Sequence, residues 1–128
     1  MEKDKTIEEI KKTISQNYLC GAFNETNLLA FKEAFHSEFA IINIQENGAF
    51  FLFTRDMWEG ALKKRLTDPN FDYKSIAVSP SFRTIDTAGE NASVTMDLCI
   101  ENRVVYTDFL LLKLIRKKWI IVSKIYSE

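Results

Sequence analysis

Two runs near the C-terminus constrain this chain most. Val104 to Ile115 and Trp119 to Tyr126 read as strands, yet neither alternates apolar with polar residues. One face of the first holds Val104, Tyr106, Asp108, Leu110, Leu112 and Leu114; the other holds Val105, Thr107, Phe109, Leu111, Lys113 and Ile115. On the final strand Trp119, Ile121 and Ile125 oppose Ile120, Val122 and Tyr126. An antiparallel sheet with one wet face places polar residues outward at every second position. Here both faces are apolar, so both must be covered. Helices of the same chain can cover one. A second sheet from an identical copy is the simplest cover for the other, and the sequence predicts a homodimer through the sheet.

The material for the first cover lies upstream. Ile7, Ile10, Ile14 and Tyr18 recur at helical spacing, with Thr6 and Glu9 in a capping-box pattern and Gly21 as a stop. A second helix is expected from Leu28 to Phe35, with Asn27 as its N-cap. Phe39 to Ile44 and Phe50 to Thr54 read as a hairpin across Asn47-Gly48, two residues that tolerate positive φ. Asp56 to Arg65 returns to helix and ends at Asp68-Pro69-Asn70. Tyr73 to Thr87 reads as mostly extended, with Pro80 marking a bulge, a bend or an edge. Ala88-Gly89-Glu90 turns into a cleanly alternating strand, Ala92 to Glu101. Arg116-Lys117-Lys118 is the last turn. Helices first and long antiparallel strands after them form an α+β pattern in a single domain spanning residues 1–128.

Composition excludes several classes of function. The 128 residues carry 17 Lys and Arg against 18 Asp and Glu, a formal net charge of −1. A nucleic-acid-binding domain of this size is normally basic, so no nucleic acid is expected as partner. Cys20 and Cys99 are too few for a disulfide scaffold and read as small apolar residues. The first residues, from Met1 to Ile7, contain no apolar signal region, and no run approaches the length of a membrane span. The expectation is a cytoplasmic protein without a membrane partner. One histidine and two separated cysteines give no metal-ligand cluster. Neither a phosphate-binding Gly-rich loop nor a nucleophile elbow is present, so no cofactor is expected.

The tail Thr107-Asp108-Phe109-Leu110-Leu111-Leu112-Lys113, followed by Trp119-Ile120-Ile121-Val122-Ser123-Lys124-Ile125-Tyr126, resembles the nuclear transport factor 2-like superfamily. Within it the chain looks like the putative lumazine-binding subfamily, close to the SnoaL-like proteins. Tyr18, Gly21 and the pair Phe35-His36 fit the same family's helical opening. The resemblance implies a cystatin-like cone, a strongly curved mixed or antiparallel sheet wrapped around N-terminal helices, with a pocket at its wide end. Relatives use that pocket as isomerases, dehydratases, cyclases or binding modules, or use the fold for dimerisation alone. The fold does not choose among these.

Candidate site residues follow from parity and composition. Asp108 shares a strand face with Tyr106, Leu110 and Leu112, which puts a carboxyl in apolar company; a structural role bonded to a helix terminus or to Tyr, Trp or Lys is the plain alternative. His36, the only histidine, is a candidate general base or a cap on the second helix's C-terminus. Tyr18, Phe31, Phe35, Phe53, Trp58 and Tyr106 are candidate lining residues or core. Lys124 lies on the face of Val122 and Tyr126 and is placed to pair with Asp108 or Asp97. Lys63-Lys64-Arg65 reads as a solvated helix end. Three functions remain open at this level: a binding module for a small apolar or aromatic molecule, a cofactor-free isomerase or dehydratase using Asp108 and His36, and a structural dimerisation domain.

Overall fold

The computed structural model describes residues 2–128 as helices packed on one six-stranded sheet. Helix α1 (Glu2–Lys12) starts ahead of the expected Thr6 cap, with Glu2 and Asp4 in its first turn, where the helix dipole favours acids. It does not stop at Gly21. It widens into a π-helical segment, Thr13–Asn24, that buries Ile14, Tyr18, Leu19, Gly21 and Ala22. Gly21 serves packing instead. A Cβ there would stand 2.5 Å from the backbone N of Phe31 and 2.6 Å from its Cα, so glycine lets the next helix approach closely.

That helix, α2 (Leu28–Ala34), begins at Asn27, whose side chain accepts from the Ala30 N–H at 3.1 Å, as expected. It ends one residue early. Phe35 is already extended, at φ −116° and ψ 136°, and opens strand β1 (Phe35–Ile44). Strand β2 (Phe50–Thr54) pairs back on β1 through the expected turn, with Gly48 at φ 86°. Helix α3 (Arg55–Leu66) is capped by the Thr54 hydroxyl, which accepts from the Met57 N–H.

Of the stretch from Tyr73 to Thr87, only the later part is strand. Tyr73–Ser75 form a 3₁₀ turn held by the Asp72 carboxylate on the Lys74 N–H, and β3 runs from Ser79 to Ala88. Strands β4 (Asn91–Ile100), β5 (Arg103–Ile115) and β6 (Lys118–Ser127) complete a sheet ordered β2-β1-β6-β5-β4-β3. Pro80 therefore sits on an edge strand, where its missing N–H costs no ladder bond. All neighbours are antiparallel except β1 and β6, so the sheet is mixed. Each pairing other than β1–β2 contains a register shift. An extra residue on one strand bends and twists it, so these shifts curl the sheet around the helices without closing a barrel. The last turn uses only Arg116 and Lys117, both at positive φ, while Lys118 pairs with Ile115.

The core lies between the helices and the concave face. Ile10, Ile14, Phe31 and Leu62 meet Met96, Leu98, Leu110, Leu112, Trp119 and Ile121, all buried. Among the described residues, no helix is long and apolar enough to cross a membrane.

Candidate functional site

One corner of this core is polar. Tyr18 comes from the π-helical segment, Asp108 from the middle of β5, and Lys124 from β6, two residues along from the position opposite Asp108. The Tyr18 hydroxyl donates to Asp108 Oδ2 at 2.6 Å, and Lys124 Nζ donates to the same hydroxyl at 2.6 Å. Lys124 Nζ also stands 3.3 Å from Asp108 Oδ2. Tyr18 and Asp108 are fully buried and Lys124 is 5% exposed. The register explains the convergence: Asp108 pairs with Tyr126 and Leu110 with Lys124, so both side chains point to the concave face of adjacent strands. Asp108 Oδ1 is buried without a hydrogen-bond partner.

Burial pushes the Tyr18 phenol well above its ordinary range, and the neighbouring carboxylate of Asp108 adds to the shift. The same burial pulls the Lys124 ammonium below its ordinary value, with Asp108 opposing. Three aromatic faces surround that ammonium: Tyr126 at 5.0 Å, Tyr18 at 5.2 Å and Trp58 at 5.3 Å from ring centroid to Nζ. Such contacts stabilise a desolvated cation by about 2 kcal/mol each. An aromatic cage thus holds a lysine where little water reaches it.

Above the triad the cone opens into a cavity of about 470 Å³ lined by Phe23, Ile41, Asn43, Phe51, Phe53, Trp58, Tyr106, Lys124 and Tyr126. Its walls are mainly aromatic. Lys124 supplies a cation at its base, and Asn43 supplies an amide on the β1 wall. A cavity of this size suits a small organic molecule.

The family described as putative lumazine-binding matches residues 5–127, nearly the whole chain. The chain belongs to this family. Among solved structures it is similar to an NTF2-like protein of unknown function from Silicibacter pomeroyi, at 18% identity and a TM-score of 0.74, covering 99% of this chain and 98% of that one. A second such protein, from Shewanella baltica, shares 22% identity over 96% of this chain and 93% of its own, at a TM-score of 0.72. A third, from Methylobacillus flagellatus, shares 20% identity over 95% and 90%, at 0.67. These likenesses establish the NTF2-like fold. No curated protein matches the chain.

The residues singled out from sequence fall into three groups in this member of the family. Trp58 and Tyr106 line the cavity, while Tyr18 and Asp108 lie at its base bonded to Lys124. Phe31 and Phe35 are buried behind Trp58, with ring centroids 5.2 and 5.3 Å from it, and set its orientation. His36 belongs to none of them. It stands in β1, two residues past the end of α2, and its Nδ1 accepts from the Glu38 N–H at 3.0 Å. Because Phe35 is already extended and turned inward, the next side chain leaves the cavity side, and His36 and Asp108 are not brought together. The helix-capping role considered for His36 falls to Arg55, whose Nη1 donates to the carbonyls of Phe35 at 3.1 Å and Lys32 at 3.5 Å.

Other residues were missed or undervalued. Phe23, Ile41, Asn43 and Phe51 come from segments read as loop or plain strand, and only the curl of the sheet turns them onto one space. Tyr126 was legible as the neighbour of Lys124 by parity. Of the two pairings considered for Lys124, the structure makes the one with Asp108; Asp97 is held by Arg83 and Thr107. Arg65, read as part of a solvated end, reaches inward to the Ala22 carbonyl at 2.7 Å and ties α3 to the π-helical segment.

Proposed function

We propose that this protein is a small-molecule binding module that takes a flat aromatic or heteroaromatic molecule into the cone. The observation behind this reading is the coincidence of an aromatic cavity with a buried lysine at its base. A cavity lined only by rings would select little beyond size. The Lys124 ammonium has three protons; one goes to the Tyr18 hydroxyl and Asp108 lies 3.3 Å away as its ion-pair partner, so even with a second proton directed there one remains for an acceptor atom on a ligand. Asn43 adds a donor and an acceptor on the wall. The family's description makes lumazine a reasonable first probe. Catalysis by Asp108 with His36 has no support in the geometry.

Retention of a ligand tests the proposal. Protein purified gently from cells and sprayed under native conditions should show a second mass series above the bare chain, lost on denaturation. Only the bare mass, across preparations from different growth conditions, would count against it.

We further propose that the convex side of the sheet pairs with a second copy. Phe109, Leu111 and Ile125 are 43%, 54% and 50% exposed, and with Ile42 they border a groove across β1, β6, β5 and β4. A strip of large apolar side chains on adjacent strands is what a stable interface buries at its centre.

A further inference from the structure

Lys124 is the buried lysine among the described residues, and it is the one that opens onto an aromatic cavity. It is also joined to a continuous proton path: Nζ to the Tyr18 hydroxyl at 2.6 Å, and that hydroxyl to Asp108 Oδ2 at 2.6 Å. Ion pairing alone would need no phenol between the partners. From this geometry we infer that Lys124 is a carbonyl-capturing amine that forms a reversible imine with aromatic or α,β-unsaturated aldehydes entering the cavity. The inference rests on the pocket reading above and goes beyond it by assigning covalent chemistry to one atom.

The steps balance. A proton moves from Lys124 Nζ to the Tyr18 oxygen as the Tyr18 proton moves to Asp108 Oδ2, leaving a neutral amine and a neutral carboxyl. The amine lone pair adds to the aldehyde carbon while the C=O π pair moves to oxygen. Transfer of one N–H proton to that oxygen gives the carbinolamine. The relay then runs backward and delivers the Asp108 proton to the carbinolamine hydroxyl, which leaves as water as the nitrogen lone pair closes the C=N bond. The product is a protonated imine beside a restored Asp108 carboxylate, plus one water, with no oxidant or reductant consumed. Burial favours the neutral amine that the first step requires. The surrounding rings of Trp58, Tyr18 and Tyr126 shield the cationic imine from water. Tyr18 is a positioning and relay residue here; Lys124 is the atom that reacts.

Benzaldehyde with cyanoborohydride provides the test. Reduction should fix one benzyl group per chain, mapped to the Lys124 peptide at a rate about tenfold above any exposed lysine. Excess benzyl alcohol, which fits the same space without a carbonyl, should protect Lys124 in the wild-type protein. K124R and K124M should lose the adduct. Y18F should slow trapping about tenfold or more. Equal labelling of exposed lysines, or no protection by benzyl alcohol, would overturn the inference. If benzyl alcohol perturbs Trp58 emission and benzaldehyde leaves no adduct, imine chemistry falls and the pocket reading survives. If neither aromatic perturbs Trp58, both fall.

Discussion

At the scale of residues, the fold tolerates a polar triad in its core because each member removes a cost from another. A lone buried ammonium or carboxylate loses several kcal/mol of hydration, roughly, and an ion pair recovers that only when further bonds complete it. The Tyr18 hydroxyl supplies those bonds in both directions, accepting from Lys124 and donating to Asp108. A pH dependence follows. The folded-state pKa of Tyr18 is raised well above 10.0, so above that pH the unfolded chain sheds a proton that the folded chain keeps. Stability is then fully present below pH 10 and falls as pH rises past it. Lys124 acts oppositely, its lowered pKa making stability climb as pH approaches 10.5 and leaving it level beyond. The phenols of Tyr106 and Tyr126 face the same pocket, and Tyr126 is shifted in the direction of Tyr18. Base titration followed by tyrosinate absorbance and circular dichroism should therefore show one phenol ionising only as the chain unfolds. In Y18F that cooperative step should disappear, and the loss of stability above pH 10 should shrink. A Tyr18 that titrates normally in the folded protein contradicts the buried triad.

At the scale of elements, the sequence predicted strands better than it predicted helix ends. The alternation of Ala92, Val94, Met96 and Leu98 against polar neighbours is local information, and those four side chains are buried as expected. Asn27 was equally legible, since an N-cap acts within one turn. The start of α1, the run through Gly21 and the early end of α2 were not legible, because tertiary contacts decide them. Gly21 resembles a helix stop in sequence, yet it is a contact point against the Phe31 backbone. This makes a prediction at the same scale. Gly21→Ala should destabilise by about 3 kcal/mol, the upper part of the range for overpacking a tight core, because backbone atoms of α2 cannot swing aside. Denaturant unfolding with an unchanged m-value measures it. A loss under about 1 kcal/mol, comparable with an ordinary helix substitution, would show that α2 does not press on the π-helical segment. The candidate site followed the same division. Asp108 and Lys124 were placed by strand parity, whereas Phe23, Asn43 and Phe51 meet only because bulges curl the sheet. His36 was placed rightly, just past α2, but its direction depends on the backbone turning extended at Phe35, which the sequence pattern does not carry.

At the scale of the molecule, the curled sheet has two apolar sides with different fates. The concave side packs on the helices and leaves the cavity at one end; the convex side leaves Phe109, Leu111 and Ile125 in water in the single chain. A dimer burying more than about 1,000 Å² would cover them. Sedimentation at micromolar concentration should give the dimer mass, and L111K, placed at the centre of the strip, should give the monomer mass with unchanged circular dichroism. A monomer for the wild-type chain would leave that face without a cover and refute the pairing. The cavity itself is tested most directly by Trp58 fluorescence in a W119F background, which removes the other indole. Titration with lumazine and a small set of flat aromatic heterocycles should give a saturable change for at least one of them, with Kd below about 1 mM. Asn43→Phe, which fills the cavity from its β1 wall, should abolish that change without lowering the melting temperature. A flat response to every probe, or an equal response in N43F, would contradict the assignment of this cavity as a binding site.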